Sequence, residues 1–224
     1  MRETKQLKVW KSKFGKNYTD RNITDPAIRV SAFKRMIDGL NIKKILEVRC
    51  GSGHNLIALS KIGKYQLIGI ELQEYAVKKA RESSNLISVI EGNCFEIPFV
   101  DSYFDLVFTS GVLIHIAKKD LPKAIDEIYR ISKKYILAIE YYAPEDTIIH
   151  YRGYNDLLWK RDFKKYFLKQ KSDLGCINEG FWSKEEGFDD CNWWLFEKKA
   201  KSLKKIIYEE EKNSSNYSGQ DNID

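Results

Sequence analysis

Ile45-Leu46-Glu47-Val48-Arg49-Cys50-Gly51-Ser52-Gly53 is the stretch on which the fold turns. Its first four residues read as a buried strand. Gly51 and Gly53 then let the chain bend sharply and bring backbone amides close to a ligand. Downstream, the same rhythm repeats. A helix is expected from about His54 to Ile62, a strand at Gln66–Glu71, a helix near Glu74 to Glu82, and strands at Leu86–Ile90 and Phe104–Thr109. Leu121, Ile125, Ile128 and Ile131 mark an amphipathic helix between Lys118 and Ser132, ahead of a fifth strand at Tyr135–Glu140. Cys191–Phe196 reads as a late antiparallel strand. Apolar strands alternating with helices predict an α/β fold with a mostly parallel sheet covered on both faces.

Upstream, Trp10, Phe14 and Tyr18 recur at spacing four, and Asn22 or Thr24 is placed to cap a helix starting near Pro26. In that helix Ile28, Ala32, Phe33, Met36, Ile37 and Leu40 share a face. The expected organisation is an N-terminal helical cap over residues 1–40 and an α/β domain over 41–198. Residues 141–170 of that domain form an aromatic-rich insertion, and 199–224 carry a basic helix to about Glu211 followed by a disordered polar tail.

A chain of 224 residues, 43% hydrophobic, suits one sizeable core. No apolar run approaches the roughly 20 residues that span a bilayer. The opening Met1-Arg2-Glu3-Thr4-Lys5 lacks the apolar stretch of an export signal. Cys50, Cys94, Cys176 and Cys191 are scattered with no C-x-x-C pair, which fits a reducing cytoplasm and argues against zinc. The three histidines show no metal-ligand spacing, so no metal is expected. The net charge of +6 suits an anionic small-molecule partner, and ordinary solubility explains it equally well.

In a doubly wound sheet, ligands sit at the carboxyl ends of the strands where strand order reverses. Glu71, 18 residues past Gly53, ends the second strand, where a carboxylate can accept both hydroxyls of a ribose. NAD would suit that pairing too, but Leu56 stands where the dinucleotide fingerprint needs its third glycine. Glu47 ahead of the loop also favours S-adenosylmethionine (SAM). The reading is therefore a Rossmann-like class I methyltransferase with a seven-stranded sheet. Its cofactor-binding set is Glu47, Arg49, Cys50, Gly51, Gly53, Asn55, Glu71 and Leu72, with Asn93, Cys94 and Phe95 at the adenine and Ser110 near the methyl group. Each of these alone has a plainer reading, as a tight turn or a solvated strand end. Their order and spacing together carry the assignment.

Further segments narrow the resemblance. Phe108-Thr109-Ser110-Gly111-Val112-Leu113-Ile114-His115-Ile116 and Ile139-Glu140-Tyr141-Tyr142-Ala143-Pro144 resemble the pseudaminic acid biosynthesis-associated methylase family. So do Tyr151-Arg152-Gly153-Tyr154-Asn155-Asp156 and Lys160-Arg161-Asp162-Phe163, together with Trp10–Tyr18 and Trp193–Lys198. The resemblance covers about residues 8 to 198. It implies a cytoplasmic SAM-dependent methyltransferase acting on a nonulosonic-acid-type sugar, or on a nucleotide-sugar intermediate of surface glycan synthesis.

Methyl transfer from a sulfonium requires mainly in-line positioning. A base helps if the acceptor is a hydroxyl or a protonated amine. His115 is the first candidate and Glu140 the second, with Tyr142 and Tyr141 as pocket walls. Tyr141, His150, Tyr151, Arg152, Tyr154 and Asn155 form the expected acceptor-binding set, with Arg152 suited to a carboxylate or phosphate. An aromatic mini-core under a lid is the plainer reading of that segment.

Arg49 departs from the family pattern, which has glycine there. Three readings stay open: its guanidinium pairs with the SAM carboxylate, it points away, or it weakens or abolishes cofactor binding. An RNA or protein methyltransferase is one alternative, resting on Lys160-Arg161, Lys164-Lys165 and the lysines from Lys198 onward. Such charge runs are usually solvated faces, and nucleic acid is not the expected partner. A non-catalytic binding protein with Arg49 blocking the cofactor is the other.

Overall fold

The computed structural model describes residues 3–199. The basic helix and tail expected over 199–224 lie, apart from Lys199, outside them. Two short helices come first, α1 (Lys5–Lys11) and α2 (Lys13–Arg21). The period-four aromatics do not form one helix, because Ser12 ends α1 and caps α2, its hydroxyl accepting the Phe14 amide at 3.2 Å. A Cβ on Gly15 would lie 1.9 Å from the Trp10 carbonyl oxygen, so only glycine lets the two helices cross this closely.

Asp25, rather than Asn22 or Thr24, caps the next turn, accepting the Ala27 amide at 2.8 Å. A 3₁₀ turn at Pro26–Arg29 then leads into α3 (Val30–Ile37). The α/β succession follows: β1 (Lys44–Val48), α4 (His54–Ser60), β2 (Gln66–Glu71), α5 (Glu74–Ser83), β3 (Ser88–Glu91), β4 (Phe104–Ser110), α6 (Leu121–Ile131) and β5 (Ser132–Glu140). A two-stranded ribbon, β6 (Thr147–Ile148) with β7 (Trp159–Lys160), precedes α7 (Phe163–Gln170), β8 (Leu174–Trp182) and β9 (Cys191–Lys198).

The main sheet has seven strands in the order β3-β2-β1-β4-β5-β9-β8. Its first five strands run parallel, and β9 and β8 close one edge antiparallel. Alternate residues of each strand serve two separate cores. Leu46, Val48, Ile70 and Val107 face α6, whose Leu121, Ala124, Ile125, Ile128 and Ile131 are all fully buried on one stripe. Ile45, Leu106, Phe108 and Leu137 face α3 and α4 through Phe33, Met36, Leu56 and Leu59. Burying each larger aliphatic side chain contributes about 1.5–3 kcal/mol, which explains the near-continuous apolar runs. The fold is that of a Rossmann-like class I methyltransferase. Strand order reverses between β1 and β4, so the cleft opens at the carboxyl ends of β1, β2 and β4.

Candidate active site

The chain leaves β1 through Arg49, which holds a left-handed φ of 59°. Gly53 starts α4, and a Cβ there would strike the Ile87 side chain at 2.5 Å with φ at 80°, so glycine is required on both counts. Glu71 ties the loop to β2. Its carboxylate accepts the Gly51 amide at 2.9 Å on one oxygen, and the Leu72 and Gln73 amides at 2.7 and 2.9 Å on the other.

Glu47 is buried at 2% exposure. One of its oxygens accepts from the Asn55 amide at 2.6 Å and the other, Oε2, has no partner. Burial pushes its pKa up to about 8, against the hydrogen bond from Asn55 and the charge of Arg29. Arg29 was not foreseen from sequence. Its guanidinium donates to Asn55 Oδ1 at 2.6 Å and to the Gly187 carbonyl at 2.8 Å, and it lies 4.7 Å from the centre of the Phe188 ring. The run Glu47–Asn55–Arg29–Gly187 thus links β1 to the loop before β9.

After β4, the chain turns under the control of Glu140. This carboxylate is fully buried and accepts the backbone amides of Val112, Leu113 and Ile114 at 3.0–3.3 Å. Burial raises its pKa to about 7 despite these donors. The turn it holds ends in His115, whose Nδ1 lies 2.6 Å from the Leu157 carbonyl oxygen. A carbonyl only accepts, so Nδ1 carries the proton and Nε2 is left as the acceptor. Burial drives the His115 pKa down to about 3 and keeps the ring neutral.

These residues surround a cavity of about 570 Å³. Of the expected cofactor set, Glu47, Arg49, Cys50, Gly51, Asn55 and Ser110 line it. So do His115, Tyr141, Tyr151 and Arg152. Arg152 sits at the tip of a tight turn, φ 50° with Gly153 at 87°, closed by mutual Tyr151–Tyr154 backbone hydrogen bonds of 2.8 and 3.0 Å. Tyr18, from the period-four aromatics, also lines it, as do Arg29, Lys184, Phe188 and Asp189, which no local motif announced. Among the described residues, none of Arg29, Arg49, Arg152 and Lys184 pairs with a carboxylate within 4.0 Å.

Other expected residues lie away from this cavity. Glu140 does not line it, its carboxylate being committed to backbone amides. Tyr142 is 43% exposed, with its ring 6.2 Å from that of Trp194. His150 Nδ1 contacts Asn155 Oδ1 at 2.7 Å, a brace across the outside of the turn. Tyr154 packs on Phe14. Asn93 caps its own turn, accepting the Phe95 amide at 2.8 Å, while Leu72, Cys94 and Phe95 are core residues at 4%, 1% and 6% exposure.

The side of the cleft beside Glu71, Cys94 and Phe95 is nearly full. Two cavities remain there, of about 50 Å³ beside Glu71 and about 10 Å³ beside Cys94 and Phe95, and both are walled by Trp10 and Arg49. Such volumes hold a few waters at most. Among the described residues no cluster of His, Cys, Asp and Glu is assembled that would hold a metal, and no helix is long and apolar enough to cross a membrane.

Residues 45–135 match a sequence family described as a methyltransferase domain. Demethylmenaquinone methyltransferase of Staphylococcus carnosus is 30% identical over 158 residues, covering 65% of this chain and 64% of that protein. 24-Methylenesterol C-methyltransferase 2 of Arabidopsis thaliana is 31% identical over 114 residues, 47% of this chain and 31% of the relative. The chain thus spans less than two thirds of the length of these curated relatives. Among solved structures, Burkholderia thailandensis 1,6-didemethyltoxoflavin-N1-methyltransferase, with bound 1,6-didemethyltoxoflavin and S-adenosylhomocysteine (SAH), aligns with a TM-score of 0.66 at 13% identity, covering 86% of this chain and 88% of that one.

Proposed function

We propose that the chain is a SAM-dependent methyltransferase acting on a small anionic acceptor, a nonulosonic-acid-type sugar or nucleotide-sugar intermediate of glycan synthesis. The observation that carries the cofactor half is Glu47 Oε2, a buried polar atom without a partner in the wall of the cleft at the carboxyl end of β1. A buried carboxyl oxygen left unpaired is costly unless a ligand completes it, and the cationic amino end of an amino-acid-bearing cofactor would favour the ionised carboxylate and pair with it. The methyltransferase-domain match across residues 45–135 supports the same reading. Glu47 and the 49–53 loop would hold the amino-acid end, and Glu71 the nucleoside end. Bound there, the cofactor supplies a methyl group already attached to a good leaving group.

The protein's own part is positioning. Glu140 fixes the turn at 112–114 and thereby the ring of His115. With Nδ1–H engaged, His115 Nε2 accepts a hydrogen bond from an acceptor hydroxyl and orients its lone pair. At a pKa of about 3 the ring is a weak proton store, so orientation rather than proton removal is its contribution. Arg152, Arg29 and Lys184 give the outer cavity an excess of unpaired positive charge, which supports an acceptor bearing a carboxylate or phosphate.

A second reading is favoured by one feature: the side chains of Trp10 and Arg49 fill the nucleoside half, as in a binding protein that has lost its cofactor. A mass-spectrometric assay of a nonulosonate and nucleotide-sugar panel with SAM separates the two. Gain of one methyl group on a panel member is the expected result. Absence of any methylated product, with no SAH binding, supports the second reading.

A further inference from the structure

We infer that α1 is a gate over the nucleoside half of the cleft, closed by the Trp10 ring stacked on Arg49 and latched by Gln73. The inference rests on the cofactor assignment proposed above and adds how the cofactor enters. Three independent features meet at this point. The Arg49 guanidinium lies 4.6 Å from the centre of the Trp10 ring, and the same ring lies 4.6 Å from that of His115. Trp10 is 4% exposed, so this contact is an interior plug and not a surface one.

Both partners of the plug leave a polar atom stranded. Arg49 Nε and Trp10 Nε1 are buried with no hydrogen-bond partner. A permanently closed core rarely keeps two such donors side by side, whereas a surface that alternates between closed and ligand-bound states can. Arg49 also keeps its left-handed backbone at φ 59°, and strain of this kind concentrates at sites that change state.

The latch is a single side chain. Gln73 Nε2 reaches the carbonyl oxygens of Trp10, Lys11 and Ser12 at 3.2, 3.0 and 3.1 Å, the first two in the last turn of α1 and the third at the junction with α2. Gln73 stands two residues beyond Glu71, at the rim of the small cavity where a ribose would lie. Elsewhere α1 is tethered through Lys5 and Gln6, both to Asp156. A seven-residue helix has too little intrinsic stability to hold its place alone, so its position depends on the burial of Leu7 and Trp10, its packing on α2 and the Gln73 contacts. Lifting α1 removes Trp10 from the cleft and frees Arg49 to meet an anionic group of the incoming ligand.

The test uses SAH as the probe, with calorimetry and hydrogen exchange on the full chain. If the open state is about one tenth populated, Trp10→Ala and Gln73→Ala each tighten SAH binding roughly tenfold. SAH added to the wild type accelerates amide exchange across residues 5–11. Should Trp10→Ala fail to fold, Gln73→Ala and the exchange measurement carry the test. Wild-type binding that neither variant alters, with exchange of α1 unchanged or slowed, overturns the gate and leaves the cofactor assignment standing. Binding by Trp10→Ala and none by the wild type at saturating SAH also overturns it, because the plug is then permanent. Absence of SAH binding in every variant, Arg49→Gly included, overturns the gate and the cofactor assignment together.

Discussion

Glu140 holds the turn that ends in His115: its carboxylate accepts the Leu113 amide at 3.1 Å, two residues before the imidazole. The Val112 and Ile114 amides converge on the same group. The strand end of β5 thereby sets the geometry of the loop after β4, where the acceptor and the methyl group are proposed to meet.

Glu140→Gln keeps the shape but turns an amide NH₂ toward backbone donors. We expect a loss of about 1–3 kcal/mol in stability, from donors left unpaired in a buried site. Turnover should fall while the pH profile keeps its form, because Glu140 acts through the position of His115. Urea unfolding and a pH–rate series check both halves.

Glu47 gives a signed pH prediction. Its folded pKa, about 8, lies above its ordinary value of 4.5. The folded state therefore binds more protons between these values, and the contribution to stability is full below pH 4.5 and lost as pH rises through about 8. Glu47→Gln removes the effect, so the variant should gain stability relative to the wild type as pH rises. The upper limit is about 1.4 kcal/mol per pH unit across the window. Urea midpoints at pH 5 and pH 8 measure it.

His115 runs the other way. A folded pKa of about 3 against an ordinary 6.5 means the ring contributes full stability above pH 6.5 and loses it as pH falls toward 3. The rate should accordingly show no ionisation near pH 6.5 assignable to this residue. His115→Ala should lower kcat by about 10²-fold at constant KM for SAM, the scale expected when a reacting group loses its alignment. Steady-state kinetics with the identified acceptor decide it.

Arg152→Ala should raise KM for the acceptor with little change in kcat. A charge-assisted hydrogen bond of about 1.5–3 kcal/mol corresponds to roughly 10- to 150-fold. Arg152→Lys should recover only part of it, since a lysine cannot grip a carboxylate in two places. An unchanged KM in both variants removes Arg152 from the acceptor site.

Much of the fold was legible because β1, β2, β4 and the second half of β5 are buried on both faces and so carry continuous apolar runs. β8 was not. Asn178, Glu179 and Gly180 lie on its outer edge, where exposure erases the apolar signal. The Rossmann loop and the position of Glu71 could be read from spacing. That Glu71 accepts the chain's own amides could not, because those donors are set by how the loop closes. Arg29 comes from the turn before α3, and Lys184 and Asp189 from the loop between β8 and β9, more than 150 positions away, so no local pattern marks them. Arg49 was visible as a departure from the family pattern. Its stacking on Trp10 was not, since the two are 39 positions apart.

The most direct test of the cofactor site is a backbone NMR titration of the ¹⁵N-labelled chain with SAH. The account predicts saturable shifts clustered at the amides of Arg49–Gly53, Leu72, Asn93–Phe95 and Ser110–Val112. No shift at saturating SAH, or shifts confined to residues outside the cleft at the carboxyl ends of β1, β2 and β4, would contradict it.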